Sequence, residues 1–487
     1  MTSPSTQAAT QAVRRPWIDY VSVWRWHFYA GLFCMPFFCW LAITGSVYLF
    51  RPDIEAVLDR PYEALALDGP RAAPSSEARA ALAALPGATF DHYEPPATST
   101  GAAQVVLRRD GALVRMYVHP RTLQPLKTIR DDERIMDVVS RLHGELLLGP
   151  RGSMLVELAG SWGVIMILSG LYLWLPRDRW RLGGLVYPRL KLRGRAFWRD
   201  LHASAGLWIS LVTLFLLLSG LPWSANWGSY LTWARNHWAA TRGAPDWTIG
   251  GEAPGAQRSG ATASGNDGAD IPAVDAMAAM PGMSAAEMAA MAPQAQAQRQ
   301  AQGSDQDLQP LDRLVPLAAR LHPARPVWIA APAAGARDWS ISSHAQNRPE
   351  RITYSVAPAH AAVTAVQGFA DQNIVDRVVN VSVAAHEGQL FGRANQAILL
   401  LNAIGIVLIT VSGVVMWWRR RPKDALGAPP PSARASLRAA PPLSLVAIVL
   451  VLALLLPLFG ASLLLVLLLE RTLLRGLPSA RRWLGLR

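Results

Sequence analysis

The chain has 487 residues, 51% of them hydrophobic and 17% charged, with a formal net charge of +13. Its apolar residues are gathered into runs about as long as a bilayer-spanning helix and nearly free of charge, which excludes a single soluble globular domain. The basic excess lies in the segments that flank those runs, where membrane topology and anionic lipid account for it, so no nucleic-acid partner is called for.

Residues 1–26, with Arg14, Arg15 and Arg25, read as a cytoplasmic N-terminus, because Lys and Arg near the ends of spans mark that side. The first span follows at 27–50; it is too long for a signal-peptide core and reads as an uncleaved anchor. The only cysteines, Cys34 and Cys39, lie inside it, which leaves the outer segments without disulfides and the chain without a CxxCH. Residues 51–152 form a first external domain, in which Gln104–Arg109 and Leu113–His119 read as strands around Asp110-Gly111. A helical stretch from Asp131 to Leu148 then carries His143.

The second span is placed at 153–175, and the loop 176–200 holds eight basic residues against Asp178 and Asp200, which makes it cytoplasmic. The third span at 201–223 opens a second external segment, 224–393, that repeats the plan: Trp339–Ser342 and Arg351–Val356 read as strands, and Asp371–Leu390 carries His386. An insert at 250–310, rich in Ala, Gly, Gln and Ser, is predicted to be disordered. Within it Met277, Met280, Met283, Met288 and Met291 form either a thioether cluster able to hold Cu(I) or a metal-free Ala- and Met-rich helical patch. The fourth span at 394–418 leads into a basic cytoplasmic linker, 419–440. The apolar run at 441–472 is broken by Pro457 and Gly460, so it is one kinked helix or a hairpin; the basic tail 473–487 favours the hairpin and six spans in all.

Two histidine patterns occur twice with matching spacing. His27 is followed by Gly31-Leu32 and Thr44-Gly45, and His202 by Gly206-Leu207 and Ser219-Gly220 at the same offsets. His143 is followed by Gly149, Ser169-Gly170, Trp174 and Arg177, and His386 by Gly392, Ser412-Gly413, Trp417 and Arg420. The chain is therefore two copies of one unit, with His27 and His202 predicted at the cytoplasmic face and His143 and His386 at the external face. Both copies start inside, so an axis along the membrane normal relates them and brings like positions together. Two facing imidazoles suit an iron with two axial positions, as in a haem held between helices of a bundle. Zinc would want further ligands: Glu145 and Glu387 lie near the external pair, but only Asp200 near the other.

Gly31 and Gly206, one turn after the cytoplasmic histidines, leave room for a flat macrocycle or make small-residue helix contacts. Arg25, Arg199, Arg151 and Arg393 are candidate partners for haem propionates. Trp162, Trp174, Trp208 and Trp417 either line an electron route or anchor helix ends. Apart from Glu157 the first four spans carry almost no internal charge, which argues against an ion pump. There is no GxGxxG after a strand, no P-loop and no flavin signature, so the electron donor would be a membrane quinol or a separate reductase.

The Trp-Arg just ahead of each cytoplasmic histidine, the HxxxGL entry, the SG or TG near the far end of each span, the hairpin domain and the closing run from Pro457 to Ser462 resemble the PepSY-associated transmembrane family from about Trp24 to Leu469. The resemblance, to the iron-regulated ferric-siderophore reductase type, implies a bacterial inner-membrane protein with periplasmic domains, b-type haem and reduction of a ferric siderophore from Fe(III) to Fe(II). It makes His27, His202, His143 and His386 the axial ligands of two haems. The expected fold is an all-α membrane helical bundle of about six transmembrane helices, a duplicated unit, with two small α+β periplasmic domains. The Met-rich insert leaves copper open as the reduced metal. The competing functions are a siderophore or iron permease with a histidine-lined path, and a membrane protein that binds periplasmic peptides or proteases.

Overall fold

The computed structural model describes residues 20–176, 182–238, 307–333, 336–429 and 443–485. The methionine cluster, Arg14, Arg15, Arg177 and the insert up to residue 306 lie outside the described residues. The described residues form two compact units: one drawn from Met1–Trp40, Glu157–Leu217 and Ile404–Arg487, the other from Leu41–Val156 and Leu218–Ala403.

In chain order, the apolar helix α1 (Tyr20–Tyr48) is followed by the polar α2 (Arg51–Glu63), which starts on Pro52 where a missing N–H costs nothing, and by α3 (Pro74–Ala84). Strands β1 (Thr89–Glu94), β2 (Ala103–Arg109), β3 (Ala112–Val118) and β4 (Pro125–Arg130) precede α4 (Ile135–Glu145) and the long apolar α5 (Pro150–Trp174). The second copy comprises the apolar α6 (Gly194–Gly220), α7 (Ala225–Trp238), α8 (Leu311–Leu321), strands β5 (Val327–Ala330), β6 (Trp339–Ser343), β7 (Ile352–Ala357) and β8 (Ala362–Gly368), α9 (Ile374–His386) and the apolar α10 (Gly392–Arg420). The chain closes with α11 (Leu443–Leu455), α12 (Pro457–Thr472) and α13 (Pro478–Leu484).

Among the described residues four helices are long and apolar enough to cross a membrane: α1, α5, α10, and α6 with its continuation to Trp223. The C-terminal run breaks at Leu456 into α11 and α12, with a bend sharp enough that a Cβ on Gly460 would come within 2.9 Å of Ala453 Cβ. The run is thus divided into helices of 13 and 16 residues, each short of the ~20 an ordinary span needs. Close helix contacts within the first unit rest on other glycines than those predicted: Gly163 leaves no room for a Cβ against Phe38, nor Gly405 against Ile209.

The expected hairpins are present as β2–β3 and β6–β7, but the chain does not form two separate outer domains. All eight strands join one antiparallel sheet in the order β4-β3-β2-β1-β5-β6-β7-β8, with a seam where His92 pairs with Ala330 and Tyr93 with Ile329. The fold is thus mixed helix and sheet. One face of the sheet presents Val105, Leu107, Met116, Ile329 and Ile341 to Ala78 and Ala81 of α3 and Leu311 and Leu314 of α8. Asp312 of α8 accepts from the Ser75 amide of α3 at 2.8 Å, which satisfies one of the orphan donors at that helix start.

Several polar groups on the sheet are buried against one another. The Arg115 guanidinium donates to Glu94 at 2.6 Å, Gln104 at 2.8 Å and Asp131 at 2.9 Å. Trp328 is stacked between His92, at 4.0 Å between centroids, and His344, at 3.5 Å.

Candidate functional site

The four repeated histidines form two pairs. His27 of α1 and His202 of α6 face each other with ring centroids 6.3 Å apart and planes at 85°. His143, near the end of α4, and His386, the last residue of α9, have centroids 6.4 Å apart and planes at 82°. Two imidazoles on opposite sides of one metal ion, each bound at ~2 Å with ~1.1 Å from nitrogen to ring centre, would have centroids about 6.3 Å apart. Both pairs have that spacing.

The same ring nitrogen is tied back in all four. His27 Nδ1 is 3.0 Å from the Met166 carbonyl and 3.2 Å from Ser169 Oγ, both on α5. His202 Nδ1 is 3.1 Å from the Ile409 carbonyl and 3.0 Å from Ser412 Oγ, both on α10. His143 Nδ1 lies 3.0 Å from Thr44 Oγ1 of α1, and His386 Nδ1 2.8 Å from Ser219 Oγ of α6. Among the described residues no hydrogen bond engages Nε2 of any of them. Fixing Nδ1 sets the tautomer and ring direction and leaves the Nε2 lone pair for a metal, as in histidine ligands generally.

The glycine after each hydroxyl residue makes room for the ring. A Cβ at Gly170 would come 2.9 Å from His27 Cε1, and one at Gly45 3.0 Å from His143 Cε1. At Gly220 and Gly413 the corresponding distances, to His386 and His202, are 3.5 and 3.6 Å. The duplicated Ser/Thr-Gly pairs are therefore histidine seats, each on a neighbouring helix of the same repeat. The repeated offsets were visible in the sequence; the contact they make was not.

Burial pushes His143 down to about 4, and burial together with the neighbouring His143 pushes His386 down to about 3, so both are neutral imidazoles at neutral pH, the form that ligates metal. Among the described residues no group of three or more His, Cys, Asp or Glu side chains converges. Opposed imidazoles with tied Nδ1 and glycine-cleared edges fit a haem iron. The family model for the PepSY-associated TM region matches residues 24–420.

The chain belongs to the PepSY-associated transmembrane family. No curated protein shows significant similarity to it.

In this PepSY-associated transmembrane protein the other predicted site residues separate into several groups. A Cβ on Gly206 would meet nothing within 4 Å and one on Gly31 only Met166 Sδ at 3.9 Å, so neither glycine serves a tight helix contact and both leave space beside the first pair. Three of the four arginines proposed for propionates are engaged elsewhere. Arg25 donates to the carbonyls of Pro429 at 2.5 Å and Gly485 at 3.1 Å. Arg199 donates to Asp200 at 2.9 Å, and Arg393 to Asp53 at 2.7 Å. Arg151 is exposed on the first turn of α5.

Each of the four tryptophans donates its indole N–H within the protein: Trp162 to Ser462 Oγ at 3.0 Å, Trp174 to the Leu185 carbonyl at 3.0 Å, Trp208 to the Val186 carbonyl at 2.9 Å and Trp417 to the Leu426 carbonyl at 2.7 Å. The tryptophan that meets one of the four repeated histidines is Trp223, edge-on to His386 at 5.9 Å, with the buried Arg348 over its ring at 5.8 Å. Its signal was an aromatic at the same offset in each repeat, Tyr48 after His27 and Trp223 after His202.

Proposed function

We propose that this protein is a di-haem b electron carrier of a bacterial inner membrane that passes electrons outward and reduces a ferric siderophore in the periplasm, Fe(III) to Fe(II), so that the iron is released. The observation that carries the proposal is the pair of opposed imidazoles, 6.3 and 6.4 Å between centroids, each with Nδ1 tied to its own seat. His27 and His202 would hold one haem and His143 and His386 the other, each group supplying a one-electron couple when bound.

The residues of the chain supply orientation and environment. Met166, Ser169, Ile409 and Ser412 hold the first two rings, Thr44 and Ser219 the other two, and the apolar spans around the first pair keep it from bulk water. The basic loops place His27 and His202 at the cytoplasmic face by the positive-inside rule, where a membrane quinol or a separate reductase would donate. The eight-stranded sheet then lies on the periplasmic side and receives the ferric complex, whose hard oxygen donors hold Fe(II) far less tightly than Fe(III). With the C-terminal hairpin counted as two short spans, the chain crosses the membrane six times.

An ultraviolet-visible spectrum of the detergent-purified protein, with a pyridine haemochrome assay, tests this. Two b-type haems per chain are expected, falling to one in the double variant His143→Ala/His386→Ala, with loss of ferric-siderophore reduction. A colourless protein after expression with added haem would sink the proposal and leave the permease or the peptide-binding membrane protein in its place.

A further inference from the structure

Arg420 lies near the end of α10, at the same offset from His386 as Arg177 from His143, and nothing above gives it a role. Its guanidinium is stacked over two rings of α1, with Cζ 5.1 Å from the centroid of Trp24 and 5.2 Å from that of Phe28. Phe28 directly follows His27 and Trp24 precedes it by about one turn, so the cation rests on the shoulder of that ligand. One donor is used: Nη2 donates to the Gly427 carbonyl at 2.7 Å. Nε is buried with no hydrogen-bond partner, and among the described residues no carboxylate pairs with this arginine.

A guanidinium carries five N–H donors in a fork that matches a carboxylate, and a half-buried cation whose Nε is shut off from water gains by pairing with an anion. The arginines nearest the first pair in sequence have their own partners, Arg25 in the tail carbonyls and Arg199 in Asp200. Arg420 also stands seven residues after Gly413, which returns it to the face of α10 that seats His202, roughly 10 Å further along the helix.

The geometry points to Arg420 as the binding partner for a propionate carboxylate of the haem held by His27 and His202. The assignment rests on the haem reading above. It replaces Arg25 and Arg199 in that role and gives α10 two functions, a seat for one axial ligand and a cation for the side arm of the same group.

The test uses the purified full-length protein as wild type, Arg420→Gln and Arg420→Lys, stripped of haem and reconstituted either with protohaem or with its dimethyl ester, in which the carboxylates are blocked. Arg420→Gln should speed the loss of one of the two protohaems roughly tenfold and shift one midpoint potential downward, with Arg420→Lys in between. With the dimethyl ester, wild type and Arg420→Gln should lose haem at the same rate. Unchanged protohaem loss in Arg420→Gln overturns the assignment, as does equal acceleration with both haem forms, which would mark a packing role. If Arg420→Gln alters only thermal stabilisation by phosphatidylglycerol vesicles, the arginine serves a lipid phosphate and the assignment fails. A wild-type protein that takes up no haem fails at the first spectrum, which identifies the functional proposal as the error.

Discussion

The two histidine pairs have almost the same spacing and are built in different ways. The rings of the first pair project from long apolar helices, α1 and α6, and each Nδ1 has both a backbone carbonyl and a serine hydroxyl within reach. The rings of the second pair stand at the ends of the short helices α4 and α9; a hydroxyl of a long helix reaches each Nδ1, and the Leu41 backbone also bonds to His143. The first pair is thus set by helix packing, whereas the second depends on the folding of a sheet-containing unit. Seat tightness divides the molecule along another line. A Cβ on either glycine of the first repeat would come within 2.9 or 3.0 Å of its histidine, while on those of the second repeat it would sit at 3.6 and 3.5 Å, an ordinary contact.

The largest separation of the pairs should come from Arg115→Ala. It would leave Glu94 and Asp131 without their buried cation, a loss of about 3–5 kcal/mol for a broken buried pair. Thermal melts should show a destabilised sheet unit and spectra the loss of the second haem, with the first retained; equal loss of both would show that the pairs are not independently supported.

Next in size, Gly170→Ala and Gly45→Ala should displace His27 and His143 and lower haem content, whereas Gly413→Ala and Gly220→Ala should be nearly silent. Electron paramagnetic resonance of the oxidised protein reads ligand geometry directly, and identical spectra for all four variants would refute the tight-and-loose division. Smaller again, Ser219→Ala removes the only acceptor His386 has among the described residues and should weaken haem retention roughly tenfold. Ser412→Ala should lose less, because the Ile409 carbonyl still holds His202 at 3.1 Å.

The smallest effect concerns acidity. Burial alone would push the Glu94 carboxyl up, but the charges of Arg115 and Arg134 outweigh it and hold the group below its ordinary range. Its stabilising contribution is therefore present above the usual carboxylate value of about 4.3 and fades as pH falls through the lower, folded value. Melting temperature should drop on acidification below about pH 4, and Glu94→Gln should flatten that part of the profile.

The long helices were legible because a run of apolar residues has few other destinations, and the histidines because a duplicated offset is visible without coordinates. The sheet was half legible. β2, β3, β6 and β7 show strand patterns, but β1 carries Asp91, His92 and Glu94, whose burial depends on Arg108, Trp328 and Arg115 elsewhere in the chain. β5 has only four residues, too few for alternation to register. Arginine partners are hidden for a related reason: proximity in sequence to a histidine does not reveal that Arg25 donates to the carbonyls of Pro429 and Gly485, or that Arg420, at the end of the second repeat, stacks on Trp24 at the start of the first.

The seam between β1 and β5 is made of two residue pairs, and each metal-ready pair takes one ring from either half of the chain. A single half would present a raw strand edge and two lone imidazoles, so it could complete neither its sheet nor a histidine pair without a second copy. The duplicated chain is in this sense a homodimer made covalent. Once joined, the halves no longer have to stay alike, and a long Ala- and Met-rich stretch can sit in one of them without being repeated in the other.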